Sequence, residues 1–69
     1  MKIFGERVKE CLKEKNITQK EFARILNVQP STLCEWLSDH NEPPMQSIVE
    51  IAKLLDVSTD YLLGLKEYD

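Results

Sequence analysis

The side chains that could carry a chemistry lie in residues 18–37, and that chemistry is hydrogen bonding by exposed amide, hydroxyl and carboxylate groups. Gln29 can pair with N6 and N7 of adenine, whereas Glu35 can only accept and therefore suits the N4 amino group of cytosine. Ser31 and Thr32 carry hydroxyls that bond phosphates or bases alike, so they discriminate little between sequences.

Three other residues of this segment indicate the structure that would present those side chains. Ala23, Asn27 and Leu33 stand where a helix-turn-helix needs a small residue, a residue that tolerates left-handed backbone, and an apolar residue. Such a motif places its second helix in the major groove of DNA. The sequence therefore predicts two short helices joined by a tight turn, with the rest of the chain as their scaffold.

Apolar residues at helical spacing predict the helices of that scaffold. A first amphipathic helix is expected over about residues 2–15, with Arg7 and Lys9 on its solvent side. A short fifth helix is expected to hold Tyr61, Leu62 and Leu63. The residues expected to face inward in the first four helices are Phe4, Val8, Cys11 and Leu12, then Phe22, Ala23, Ile25 and Leu26, then Leu33, Trp36 and Leu37, then Met45, Ile48, Ile51, Ala52 and Leu55.

Capping residues predict where several helices begin and end. Thr18 followed by Glu21 forms a capping box, in which each side chain is expected to reach the other residue's backbone N–H. Pro30 suits the first position of a helix, since its missing N–H is harmless there. Ser58 is expected to cap the fifth helix, and Gly64 to end it.

Length and composition predict one small domain. The 69 residues suffice for a single domain over 1–69, with a core at 4–64 and a short tail at 65–69. Neither a membrane span nor a signal peptide is evident, so a cytoplasmic protein is expected. Two isolated cysteines agree with a reducing compartment, and Cys11 is expected to be a buried apolar side chain. Cys34 and His40 do not share a helical face, so no metal site is expected.

The charge distribution limits how DNA could be held. The net charge is −3, and residues 17–42 hold only Lys20 and Arg24 against four acidic side chains. Residues 1–16, by contrast, hold five basic and three acidic side chains. Because Lys and Arg supply most of the sequence-independent affinity for phosphates, the sequence predicts a weakly basic interface.

The chain resembles the DNA-binding domain shared by phage repressors, Cro and the Xre-type bacterial regulators. The resemblance spans almost all of residues 4–64, and it implies an all-α fold, a compact lambda-repressor-like bundle of five helices with the helix-turn-helix at helices two and three. The matching segments are Ile17-Thr-Gln-Lys-Glu-Phe-Ala23, Asn27-Val28, Ser31-Thr-Leu33, Trp36, Pro43, Ile51-Ala-Lys-Leu-Leu-Asp-Val-Ser58 and Asp60-Tyr-Leu-Leu-Gly64.

The resemblance also implies which residues would touch DNA. Helix three would be the recognition helix, and residues at the start of helix two would hold a phosphate at the helix N-terminus. The base-contact candidates are Gln29, Pro30, Ser31, Thr32 and Glu35. The phosphate-contact candidates are Gln19, Lys20, Ser38, His40 and Asn41. Helix three offers neither Arg nor Lys for guanine, so weak or A·T-leaning readout is expected.

Departures from the family pattern also bear on function. Asn27 stands where the family often has Gly, and Leu37 where it often has a polar residue. Asp39 and Glu42 stand in a loop that is often basic, which weakens the expected grip on phosphate. Glu35 is interpreted either as a readout residue or as an ordinary exposed charge. Trp36 is expected in the core, and His40 is expected to be a solvated loop residue.

These residues bear on three candidate functions. A DNA-binding transcriptional regulator is favoured, acting as a dimeric repressor that occupies a near-palindromic operator of double-stranded DNA. Tyr61, Leu65 and Tyr68 are the dimer-interface candidates. Leu65 and Tyr68 lie past the last cap, where a monomer has little to cover an apolar strip. The alternative is a protein-interaction module with the same fold. An enzyme is disfavoured, and no cofactor, metal, membrane or small-molecule ligand is expected.

Overall fold

The computed structural model describes residues 2–68 as five α-helices joined by short turns, with no strand in that range. The helices are α1 (Lys2–Lys15), α2 (Gln19–Leu26), α3 (Pro30–Leu37), α4 (Met45–Leu55) and α5 (Thr59–Leu62). The predicted all-α fold of five helices, with the helix-turn-helix at the second and third, is confirmed. The predicted domain limits at residues 1 and 69 lie outside the described residues, and the single-domain assignment stays a prediction.

Local capping interactions set the helix starts as the sequence predicted, with one exception. The hydroxyl of Thr18 accepts from the backbone N–H of Glu21 at 3.1 Å, and the hydroxyl of Ser58 accepts from that of Tyr61 at 3.0 Å. Pro30 occupies the first position of α3. The reciprocal half of the capping box was predicted wrongly, because both carboxylate oxygens of Glu21 instead accept from Arg24.

Left-handed residues end the helices where the chain must turn. Asn27 has φ 60° and ψ 42°, and the next residue, Val28, donates its N–H to the carbonyl of Ala23. Asp56 ends α4 in the same conformation, and Gly64 has φ 86° just past α5. Asn tolerates this backbone better than most side chains, so the tight turn between α2 and α3 forms without glycine.

All five helices contribute side chains to one apolar core. Its buried members are Phe4, Val8, Cys11, Leu12, Phe22, Ala23, Leu26, Leu33, Trp36, Leu37, Ile48, Ile51, Ala52, Leu55 and Leu62. Trp36 and Leu37 are therefore core residues, as their spacing predicted, and Leu62 of α5 is buried with them.

Ile25 and Met45 were wrongly predicted to face inward. Ile25 is 46% exposed, since it lies roughly 100° around α2 from the centre of the stripe that Phe22, Ala23 and Leu26 form. Met45 is 80% exposed because it begins α4 and lines a surface groove with Val49 and Leu63 instead of reaching the core. Both errors come from counting apolar residues without regard to which side of the helix faces the bundle.

Helices α1 and α3 approach each other closely at Gly5. A Cβ atom on Gly5 would lie 1.9 Å from the carbonyl oxygen of Leu37, far inside any van der Waals contact. The absence of a side chain therefore lets the last turn of α3 rest directly on the backbone of α1. This contact helps to hold α3 at its angle to the bundle.

The sequence predicted Arg7 on the solvent side of α1, and this prediction is wrong. Arg7 is half-buried against the end of α5. Its guanidinium carbon is 4.4 Å from the centroid of the Tyr61 ring, and the guanidinium donates to the carbonyls of Tyr61 and Lys66. Burial raises the pKa of the Tyr61 hydroxyl, and the nearby carboxylate of Glu10 adds to that shift, whereas Arg7 opposes it. Arg7 therefore ties the C-terminal tail to the first helix.

No helix between residues 2 and 68 is both long and apolar enough to span a bilayer.

Candidate nucleic-acid interface

Helix α3 buries one side and presents the other to solvent. Leu33, Trp36 and Leu37 lie in the core. Ser31 and Glu35, together with the cap residue Ser38, are exposed on the opposite side at spacings of four and three residues. A two-turn helix held by one apolar stripe thus offers a row of hydroxyl and carboxylate groups to a partner.

The start of α3 is equally accessible. Gln29 is exposed in extended backbone conformation at the N-cap, and its carbonyl accepts from the N–H groups of Thr32 and Leu33 at 3.0 and 3.1 Å. The ring of Pro30 is exposed beside it, whereas Thr32 is half-buried. Four of the five base-contact candidates are therefore exposed, and Thr32 contributes only part of its surface.

Sequence reasoning missed Cys34 as a member of the outward surface. Its side chain is exposed, although its apolar character suggested nothing about the interface. The signal was its position three residues after Ser31 and four before Ser38, which places it at the edge of the same side of α3.

Helices α2 and α3 together line a surface groove of about 370 Å³. Its lining residues are Thr18, Lys20, Glu21, Arg24, Val28 and Pro30. The groove brings Lys20, a phosphate-contact candidate, to the start of the exposed side of α3. Gln19, at the first position of α2, is exposed next to Lys20. Sequence reasoning did not select Arg24, although it follows Lys20 by four residues on the same side of α2.

The positive charge of Arg24 is paired within α2. Its Nε donates to Oε2 of Glu21 at 3.0 Å, and a second guanidinium N–H donates to Oε1. This hydrogen bonding lowers the pKa of the Glu21 carboxyl and raises that of Arg24. Because the pair is exposed and neutral as a unit, Lys20 supplies the net positive charge of this groove.

The loop after α3 gathers four of the candidate residues into one polar cluster. Asn41 donates through Nδ2 to Oε1 of Glu35 at 3.1 Å, and the Ser38 hydroxyl lies 2.9 Å from Nδ1 of His40. All four side chains are exposed. The structure therefore joins Glu35, predicted to contact a base, to Asn41, predicted to contact a phosphate.

Exposed carboxylates lie within this cluster and beside it. Glu35, Asp39 and Glu42 are all exposed within one segment of eight residues. Each would repel a nearby phosphate, so the loop end of α3 is electrostatically less suited to the DNA backbone than the start of α2 is.

The dimer-interface candidates lie outside the helix-turn-helix. Tyr61 is half-buried on α5 under the guanidinium of Arg7. Leu65 and Tyr68 follow α5 in the tail and are 75% and 82% exposed. The structure therefore leaves the two tail residues open and partly covers the third candidate.

Comparison with known sequences agrees with this geometry. The sequence profile of a family described as Helix-turn-helix matches residues 8–62, which include α2, the turn and α3. The match extends over four-fifths of the chain, so it covers most of the helical scaffold and not only the motif.

Related proteins are also described as helix-turn-helix proteins. The chain is 38% identical over 63 residues to the HTH-type transcriptional regulator ImmR of Bacillus subtilis (strain 168), covering 91% of this chain and 50% of ImmR. It is 31% identical to the SPbeta prophage-derived uncharacterized HTH-type transcriptional regulator YonR of that organism, covering 88% and 56%. It is 33% identical to the HTH-type transcriptional activator BcrR of Enterococcus faecalis, covering 93% and 31%.

The chain spans about half the length of ImmR and YonR and about a third of BcrR. What it shares with each of them is the segment that forms the helix bundle. The exposed polar side of α3, the left-handed turn at Asn27 and the profile match over residues 8–62 lead to one conclusion: the chain belongs to the Xre-like helix-turn-helix family.

Proposed function

We propose that this chain is a sequence-specific DNA-binding domain of a transcriptional regulator, with α3 as the helix that enters the major groove. The observation that carries the proposal is the division of α3 into a buried apolar stripe and an exposed polar row containing Ser31, Glu35 and Ser38. A helix of this kind at the second position of a helix-turn-helix lies in the major groove and meets base edges through its exposed side. Under this proposal the domain acts by binding DNA and not by catalysis. It does so in the cytoplasm.

The contacts divide into two classes under this proposal. Gln29 and Glu35 read bases, because their side chains can make directional bonds to adenine or cytosine, and Pro30 can touch a thymine methyl group. Gln19 and Lys20 hold a phosphate at the exposed start of α2, where the helix dipole favours an anion.

The small number of available cations sets the expected salt dependence. Arg7 is held by the tail and Arg24 by Glu21, so Lys20 is the free cation of the groove between α2 and α3 among the described residues. The slope of log K against log salt is therefore expected to be gentle, with a magnitude below about 6. A slope of about −6 or steeper contradicts this contact assignment.

A direct binding titration tests the proposal. Fluorescence polarisation at low salt is expected to show binding of a labelled random duplex, and selection from a random pool is expected to return a preferred site. Ser31→Glu should reduce affinity by about fivefold to several-hundredfold, since one unit charge at ~4 Å from a phosphate costs between ~1 and ~4 kcal/mol. The glutamate lies near a helix N-terminus, so the fold should tolerate it.

Lys53→Gln supplies the matched control for that variant. It makes the same change of one negative unit at an exposed residue that lines a groove on α4 and α5 with Asp56 and Thr59. The control should bind nearly as the parent protein does. Equal losses in both variants would show that net charge, and not the surface of α3, governs binding.

The proposal extends to oligomeric state and regulatory role: the protein forms a dimer that acts as a repressor by occupying its operator. Leu65 and Tyr68 are large side chains that the monomer leaves mostly exposed, and burying them against a second copy would remove apolar surface from water. Two copies related by a two-fold axis would place their α3 helices on half-sites roughly 34 Å apart.

Sedimentation velocity over a range of concentrations tests the dimer. The parent protein should show a concentration-dependent shift toward twice the monomer mass, which Leu65→Asp should abolish. Leu54→Asp is the control, because Leu54 is 45% exposed on α4 and outside the tail. A parent protein that stays monomeric at high concentration, or a control that also dissociates, rules out the tail as the interface.

One observation favours a second function, a protein-interaction module with the same fold. The exposed carboxylates of Glu35, Asp39 and Glu42 make the loop end of α3 acidic, as a surface for a basic protein would be. Failure to bind any duplex, even at low salt, would favour this function over DNA recognition.

A further inference from the structure

The loop after α3 folds back onto a single residue of that helix. Asp39 takes the left-handed conformation with φ 69°, which reverses the chain. The backbone N–H groups of His40 and Asn41 then both donate to the carbonyl oxygen of Glu35, at 2.9 and 3.3 Å. Residues 40 and 41 are therefore held in a defined position relative to the last turn of α3.

The side chain of Asn41 uses that position to bind the Glu35 carboxylate. Its Nδ2 donates to Oε1 of Glu35 at 3.1 Å, closing a second bridge between the same two residues. A carboxylate accepts at both oxygens, so this bond orients the group while Oε2 keeps its capacity for another donor. An exposed glutamate otherwise samples many rotamers, and ordering it on binding would cost entropy.

We propose that Asn41 is a positioning residue that aims the Glu35 carboxylate at the N4 amino group of a cytosine in the major groove. This inference rests on the proposed function, because it takes α3 to lie in that groove. A carboxylate is the acceptor that suits cytosine N4, and a pre-oriented one loses less freedom when it binds. Glu35 and Asn41 then act as one specificity element.

The same geometry argues against Asn41 as a phosphate contact. Its amide already donates to a carboxylate, and that carboxylate's negative charge lies 3.1 Å away, where it would repel a phosphate at the same amide. Removing Glu35's charge should therefore strengthen sequence-independent binding while it weakens the choice of base. If Glu35 had a purely structural role, the same substitution would weaken both the sequence-independent binding and the base preference.

The test is a base-substitution titration on the site returned by selection from a random pool. Each position of that site is changed in turn, and dissociation constants are measured for the parent, Glu35→Gln, Asn41→Ala and the double variant. The parent should prefer C at one position per half-site by at least about fivefold. Glu35→Gln should remove that preference and bind random duplex more tightly.

Asn41→Ala should reduce the preference at the same position by about threefold or more and leave the other positions unchanged. The double variant should equal Glu35→Gln, since the two residues act in one interaction. Gln46→Ala removes an exposed amide from α4 and is the matched control, which should keep the full preference. Circular dichroism and melting curves confirm that each variant is folded.

A measurement without DNA checks the contact independently. In the free protein, Glu35→Gln should shift the Asn41 side-chain amide resonances, because it replaces the carboxylate that accepts from Nδ2 of Asn41. Absence of this shift overturns the inference.

The proposed function and the positioning role of Asn41 are refuted by different outcomes. A parent protein that binds no duplex refutes the proposed function and this inference with it. The positioning role alone is refuted if the parent protein binds DNA and Asn41→Ala either loses affinity equally for all bases or keeps the full base preference.

Discussion

Replacing Gly5 by alanine tests the contact that holds α3 against α1. The added Cβ would lie 1.9 Å from the carbonyl oxygen of Leu37 and 2.7 Å from its carbonyl carbon. Both are backbone atoms of α3, so no side-chain rotation can relieve the overlap. Restoring a contact beyond about 3.4 Å requires the two helices to separate by roughly 1.5 Å.

Two opposing contributions decide the sign of the stability change. Alanine in the interior of a helix is favoured over glycine by about 0.5–1 kcal/mol. Overpacking a dense contact costs typically about 1–3 kcal/mol, and a clash with backbone belongs at the upper end of that range. We therefore expect Gly5→Ala to lower the free energy of unfolding by about 2–2.5 kcal/mol, which corresponds to a fall in Tm of roughly 8–20 °C for a domain of this size.

Urea unfolding followed by the fluorescence of Trp36, together with thermal melting by circular dichroism, measures the change. Glu6→Ala is the control, because Glu6 is the next residue of α1 and is exposed. It should leave the free energy of unfolding within about 0.5 kcal/mol of the parent value. A Gly5→Ala protein as stable as its parent, or more stable, would refute the close approach of α1 and α3, since helix propensity alone favours alanine.

Three further predictions follow from other contacts. Leu33→Ala should cost about 2–5 kcal/mol in urea unfolding because Leu33 is fully buried, and a loss below about 1 kcal/mol would contradict its place in the core. The hydrogen bond from Arg24 lowers the pKa of Glu21 in the folded protein. The stability that this pair contributes is therefore present above the pKa that Glu21 has in the unfolded chain, and it is lost as the pH falls through the pKa of the folded protein. Glu21→Gln should flatten that part of the acid dependence of Tm, and an unchanged profile would contradict the pairing. Arg7→Ala should raise the pKa of Tyr61 further in an NMR titration, because the guanidinium opposes the effect of burial; an unshifted or lower pKa would contradict the contact.

Much of the fold was predictable because its signals act over three or four residues. The hydroxyl of Thr18, the left-handed turn at Asn27 and the position of Pro30 depend on neighbouring backbone alone. The regular spacing of Leu33, Trp36 and Leu37 identified the buried side of α3, and hence which side is exposed.

The candidate site was predictable in its members but not in their partnerships. The sequence indicated Glu35 and Asn41 as candidates with separate roles. Their mutual hydrogen bond depends on the chain reversal at Asp39, a residue that the sequence marked only for its charge. Cys34 was missed because its residue type indicated nothing, although its position on α3 did.

What the sequence by itself determined is the set of helices, their caps and the polar side of α3, because short-range hydrogen bonds and apolar periodicity specify them. Only the tertiary structure decided that Gly5 meets the carbonyl of Leu37 and that Arg7 reaches Tyr61 and Lys66, in each case across more than thirty residues of chain. Such contacts depend on how the helices are stacked, and no local pattern of residues specifies the distance or the angle between them.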